Sequence, residues 1–341
     1  MKGRAKVAGA AWLAGMAGWA AYSFKKMNKA VPPDEEAEAY ARTLFERVGL
    51  GELNDSWNEE VLKVGDRELR LYHFESKPGD PVMVFVPGTS VYALLYTEYM
   101  YKLSGQGFNV VGFDPRGHGR SGGKRGVYTL GGLVEDTMAV IGHAIDTYGE
   151  KVAVSGSSQG GMVAFYCAAA EPRLKAAVCH NVITPDEPDN ERMTRRPGLF
   201  RPLMPFLPMF RPLMETPVGE LMTPVSAYLD LSAETSRLVP DVGRFLKEDP
   251  LAVNAVSLSA LHSLPTTPMA KRVEEIETPV MIIHAGRDNI FPEDYVRRVY
   301  DRLTCEKEFL YLADAPHLVM TDFVDEIIPP ISSWLGKMMG R

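Results

Sequence analysis

Ser158 stands between two glycines in Gly156-Ser157-Ser158-Gln159-Gly160-Gly161, directly after the apolar run Val152-Ala153-Val154-Ser155 and before an apolar helical stretch. A strand, a tight turn and a helix in that order push a serine hydroxyl to the open edge of a sheet, beside the positive end of the helix. Small neighbours are required because a nearby Cβ clashes in so strained a turn. A hydroxyl is a poor nucleophile alone. It needs an imidazole to take its proton and a carboxylate to fix the imidazole's tautomer. Asp288 follows the run Val280-Met281-Ile282-Ile283-His284, and His317 follows the run ending at Leu312. Each therefore lies just past a late strand. The order Ser158, Asp288, His317 is that of a nucleophile, acid and base set for acyl transfer. Ser157 lacks glycines at the right offsets, and Asp314 competes as the acid from the loop of His317 itself. Acyl transfer also needs donors at the oxyanion. The N–H of Gln159 at the helix start supplies one, and Thr89 in Pro87-Gly88-Thr89-Ser90 the other, with Ser90 in reserve. Neither a metal nor an organic cofactor is required.

These residues have to be positioned by an alternation of strand and helix. Two strands around residues 61–64 and 68–74 turn at Gly65-Asp66, after a short amphipathic helix near 37–48. Strands follow at 82–86, 108–113, 152–155 and 174–179, with helices at 130–148 and 159–170. The pattern resumes with strands at 280–284 and 308–312 and helices near 293–303 and 323–337. Near-continuous apolar strands separated by helices require a mostly parallel sheet covered on both faces.

Residues 181–264 interrupt this alternation. From Leu199 to Met214 the interruption is apolar, irregular and basic, with Pro202, Pro205, Pro208 and Pro212 forbidding a continuous helix. Phe200, Leu203, Met204, Phe206, Leu207 and Phe210 are the residues expected to meet substrate, lining an entry for an acyl chain or touching a bilayer. Arg195, Arg196, Arg201 and Arg211 would then lie near anionic headgroups.

The 341 residues carry a formal charge of -7. That argues against a general nucleic-acid binder, which needs a basic face. The first thirty residues differ, with Lys2, Arg4, Lys6, Lys25, Lys26 and Lys29 and no acid. Between them Val7 to Phe24 is uncharged, and as a helix would reach about 27 Å against a hydrocarbon core of about 30 Å. A membrane anchor is the expected role, with a cleaved signal or a surface helix as alternatives. Localisation follows, membrane-associated if the segment anchors, secreted or cytoplasmic otherwise. Three scattered cysteines, Cys167, Cys179 and Cys305, form no disulfide framework.

The stretch Asp114-Pro115-Arg116-Gly117-His118-Gly119-Arg120-Ser121-Gly122-Gly123, together with Gly156 to Gly161, Gly286-Arg287-Asp288 and Pro316-His317, resembles the serine α/β-hydrolases, especially the monoacylglycerol lipase and lysophospholipase branch. The resemblance covers about residues 80–335. It implies an α/β-hydrolase fold, a lid over the site and an ester substrate of lipid type. With the basic-flanked hydrophobic segment 1–30 set apart by its composition, the interrupted alternation gives 31–180 and 265–341 as the catalytic domain and 181–264 as the insertion that the resemblance implies to be the lid. Such enzymes usually carry His-Gly where this chain has Pro87-Gly88; a backbone donor survives that change. In the Asp114 stretch, glycines permit a tight path while Asp114 and Arg116 tie the loop internally, and His118 is a loop residue. A small-ester carboxylesterase or thioesterase, and a non-catalytic binding protein on the same fold, are the alternative readings.

Overall fold

The computed structural model describes residues 28–231 and 234–341. Val7 to Phe24, the expected anchor helix, lies outside the described residues. Among the described residues no helix is long and apolar enough to cross a membrane.

The strands are β1 (Asn58–Val64), β2 (Arg67–Phe74), β3 (Val82–Val86), β4 (Asn109–Phe113), β5 (Val152–Ser157), β6 (Ala176–His180), β7 (Met222–Pro224), β8 (Ala255–Ser257), β9 (Val280–Ala285) and β10 (Lys307–Leu312). Eight of them form one sheet in the order β1-β2-β4-β3-β5-β6-β9-β10. From β4 to β10 every pairing is parallel, while β1 and β2 join antiparallel at one edge. The principal helices are α1 (Asp34–Arg47), α2 (Thr97–Gly105), α3 (Leu130–Tyr148), α4 (Gln159–Ala170), α5 (Leu258–Thr266), α6 (Glu293–Arg302) and α7 (Val324–Met339).

Every residue of β3 is buried, which explains its lack of polar alternation. Its side chains still alternate between two cores. Val82, Val84 and Val86 pack with residues of α3, α4 and α6, whereas Met83 and Phe85 pack with those of α1, α2 and α7. Both sheet faces are therefore covered.

The Asp114 loop locks the carboxyl end of β4. Asp114 is fully buried and accepts from the amides of Ala93 and Arg120 and from the Tyr72 hydroxyl, at 2.8, 2.9 and 2.9 Å. Arg116, expected to tie this loop internally, instead reaches α3, donating from Nη2 and Nε to Asp136 at 2.7 and 2.8 Å. The reason is electrostatic. Asp114 is already satisfied by neutral donors, while the fully buried Asp136 carboxylate requires a cation. Arg120 in turn binds Glu59 of β1 and Glu38 of α1, fastening the amino-terminal elements to the loop.

Residues 181–264 leave the sheet between β6 and β9 and carry the two-stranded β7 and β8. The prolines break 199–214 into short pieces, helical at Pro197–Phe200 and Arg211–Met214 with a 3-10 turn over Met204–Phe210. At the far end α5 runs through the boundary placed between 264 and 265. At the amino end the folded body already includes Asn28, whose side chain bonds both the N–H and the C=O of Ala255 in β8.

Candidate active site

β5 ends at Ser157 and α4 begins at Gln159, leaving Ser158 alone to turn the chain. It does so at φ 54° and ψ -116°, a left-handed backbone costly to any residue with a Cβ. The neighbouring glycines are dictated by packing. A Cβ on Gly156 would lie 2.1 Å from the Gly160 carbonyl oxygen, and one on Gly160 would lie 2.1 Å from that of Val86. The Val86 oxygen ends a central strand and the Gly160 oxygen lies in the first turn of α4, so neither can swing aside. Gly160→Ala is accordingly expected to lower stability by about 3 kcal/mol, measured by urea unfolding; a cost near zero would mean that the turn is soft.

His317 reaches this turn from the loop after β10. Its Nε2 lies 2.9 Å from Ser158 Oγ, and its Nδ1 lies 2.8 Å from Asp288 Oδ2 in the loop after β9. The geometry suits donation from Nδ1 to the carboxylate and acceptance at Nε2. Asp288 Oδ1 accepts the amides of Ile290 and Phe291 at 2.8 and 2.9 Å, so the carboxylate is pinned through both oxygens. The Phe291 ring stacks on His317 at 5.8 Å, fixing the plane of the imidazole. Asp314, the competing acid, is exposed and paired to Arg287. Ser157 Oγ faces His180 Nδ1 at 3.3 Å, away from this relay.

Burial by itself would raise the Asp288 pKa, but the charge of His317 and its hydrogen bond hold it well below the usual carboxylate range. Burial likewise opposes a charge on His317. The Asp288 charge and hydrogen bond outweigh it, and the His317 pKa lies above its ordinary value. His180 is pushed down to about 3, first by burial and then by His317, and so stays neutral. Its ring lies 5.3 Å from that of His317, adding no cation beside the base.

The helix start leaves the Gln159 N–H without an intrahelical acceptor, close to Ser158. The Pro87–Thr89 loop is adjacent, since a Cβ on Gly88 would lie 3.6 Å from Ser158 Cβ. Thr89 and Ser158 share a cavity of about 340 Å³. Phe200, Met204, Leu207 and Phe210 line it, facing Met162, Leu261 and Phe291. Leu203 and Phe206, grouped with them from sequence, are exposed and do not line it. In so tight a turn, adjacent side chains point to different sides, so not every apolar residue of the run can face inward.

Three neighbours of the site escape a sequence reading. Asn181, fully buried, adopts φ 69° one residue after β6 and donates from Nδ2 to Asp288 Oδ2 at 2.9 Å. Asparagine tolerates this conformation, and its place at a strand's carboxyl end was the available signal. His180 precedes it. Glu234 comes from the 181–264 segment and faces His317, and burial raises its carboxyl pKa. Its contact spans distant parts of the chain, so no local pattern announces it. His118 sits apart in the Asp114 loop, with Nδ1 against the Arg116 carbonyl and a pKa lowered to about 4 by burial. His180, Asp288 and His317 also lie close enough together to hold a cation, but Asp288 and both His317 nitrogens are engaged in the relay, and the His180 nitrogens face Ser157 and Asn181.

The fold, with a serine on a strand-turn-helix elbow and a histidine and aspartate from two later loops beside it, defines an α/β-hydrolase. Residues 77–323 match the family described as serine aminopeptidase, S33 (Hydrolase_4), and the chain belongs to that family. Within the superfamily it is similar to the monoacylglycerol lipase branch. It is similar to a monoacylglycerol lipase of Mycolicibacterium smegmatis, 25% identical over 78% of this chain and 92% of that protein. Among solved structures it is similar to a Paleococcus ferrophilus monoacylglycerol lipase, with a TM-score of 0.62 and 24% identity over 82% of this chain and 99% of that one. A soluble variant of monoglyceride lipase from Saccharomyces cerevisiae, in complex with a substrate analogue, has a TM-score of 0.65 at 17% identity over 83% and 96%.

Proposed function

We propose that the chain hydrolyses lipid-like acyl esters, of monoacylglycerol or lysophospholipid type, through an acyl-enzyme on Ser158. The observation carrying this reading is the apolar cavity of about 340 Å³ at the serine, within the range of about 300–1,000 Å³ used by small-molecule sites. Ser158 Oγ attacks the ester carbonyl as His317 Nε2 takes its proton. Asp288 steadies the imidazolium, and Asn181 steadies Asp288. The tetrahedral oxyanion is held by the Gln159 N–H and by Thr89. His317 then returns the proton to the departing alcohol, and a water, deprotonated by the same imidazole, releases the acid. Phe200, Met204, Leu207 and Phe210 contact the acyl chain, making residues 181–264 the lid and the flanking segments the catalytic domain.

The outer side of the lid supports contact with aggregated lipid. Leu199, Leu203, Phe206, Met209 and Leu213 are exposed there, and the Arg201 and Arg211 side chains are largely exposed beside them. Apolar surface with cationic flanks suits an anionic lipid boundary.

A panel of p-nitrophenyl esters tests the substrate class. Turnover measured as kcat/KM is expected to rise at least about tenfold from acetate to decanoate, because each added methylene is desolvated by the cavity. Activity peaking at acetate and vanishing by decanoate would transfer the reading to a small-ester esterase or thioesterase. An aminoacyl p-nitroanilide cleaved faster than any ester would move it to amides.

A further inference from the structure

At the antiparallel edge of the sheet, separated from β5 by β4 and β3, three potential metal ligands converge from three elements. Glu60 is in β1, His73 in β2 and His143 in α3. We propose that they form a site for a transition-metal dication of the zinc class. Glu60 Oε2 lies 3.1 Å from His73 Nε2 and 3.0 Å from His143 Nε2, and all three ligand atoms are within 4.8 Å of one another. Zinc holds nitrogen and oxygen ligands at about 2.0–2.2 Å, which puts neighbouring tetrahedral ligands about 3.3 Å apart. Small side-chain movements therefore suffice to close the shell. Two imidazoles and a carboxylate are also a donor set of the right hardness for zinc, cobalt or nickel.

His73 supplies an independent observation. The residue is only 6% exposed, and its buried Nε2 faces the Glu60 carboxylate. Its Nδ1 lies 2.9 Å from the Tyr148 hydroxyl. When Nδ1 donates its hydrogen there, Nε2 turns a lone pair toward the Glu60 carboxylate. In that tautomer a cation can be shared by Nε2 and the carboxylate; in the other, Nε2 donates its hydrogen to Glu60 and the metal displaces that proton. The contact with Tyr148 then acts as the outer hydrogen bond that fixes the tautomer of a metal-bound imidazole. Glu75 adds negative charge nearby. The Glu60 side chain is 43% exposed and that of His143 21%, giving an ion and a fourth, water ligand a route in. Bound metal would fasten the β1-β2 hairpin to α3, so its effect falls on stability.

The test uses the untagged full chain, freed of metal with EDTA and titrated with zinc by calorimetry, with cobalt(II) as a spectroscopic probe. One equivalent of zinc is expected to bind with micromolar or tighter affinity and to raise Tm, and cobalt to give the visible bands of a four-coordinate ion. Glu60→Gln and His143→Ala, both at partly exposed positions, should each weaken zinc binding by about 100-fold or more while circular dichroism stays unchanged. No saturable uptake by the wild type overturns the proposal. Uptake unchanged in both variants overturns it as well, because the ion would then lie elsewhere.

Discussion

Replacing Ser158 by alanine is expected to abolish labelling by a fluorophosphonate probe and to lower ester hydrolysis by about 10^4-fold or more. The hydroxyl is the nucleophile in the proposed reaction, and His317 Nε2 lies 2.9 Å from it, in place to take its proton. Alanine keeps the backbone constraint at φ 54° unchanged, so Tm should move little. Loss of activity with an intact fold thus separates chemistry from folding. Labelling that persists would transfer the nucleophile, with Ser157 next in line, and Ser157→Ala would then remove it. Wild-type protein that neither labels nor hydrolyses any ester would favour a binding role on the hydrolase fold.

Asp288→Asn carries the second largest effect, a fall in kcat of about 10^4-fold by analogy with the same change in a serine protease triad. The amide preserves the shape of the side chain but presents an N–H or a neutral oxygen to His317 Nδ1, disfavouring the tautomer that leaves Nε2 free to accept. The pH profile supplies a separate signature. Reaction needs neutral His317, whose pKa is raised because Asp288 stabilises the imidazolium. In the wild type kcat/KM therefore falls as pH drops through that raised pKa. Removing the carboxylate charge lowers the pKa, so the acidic limb of the residual activity should move to lower pH. An unmoved limb would show that another group, with Glu234 the nearest candidate, sets the charge on His317.

Much of the framework was legible because it is local. The strand Val82–Val86, the helix Leu130–Tyr148 and the helix Gln159–Ala170 follow directly from apolar runs and their stops. Other elements shift by a few residues at their ends, as with β6, which begins at Ala176 and not at 174. Ser158, Asp288 and His317 were also accessible, since each is marked by its offset from a strand end, and the structure brings them together.

What the chain by itself determined is therefore the order of elements and the three chemistry-bearing loops, because hydrophobic period and turn residues act over a few positions. Tertiary structure alone decided which neighbours tune those loops. Asn181 meets Asp288 across 107 residues, and Arg116 turns outward to the buried Asp136. It also decided that Met204 and Leu207 face the cavity while Leu203 and Phe206 face outward. Such choices depend on burial and charge compensation between segments far apart in sequence, and no short window of residues contains both partners.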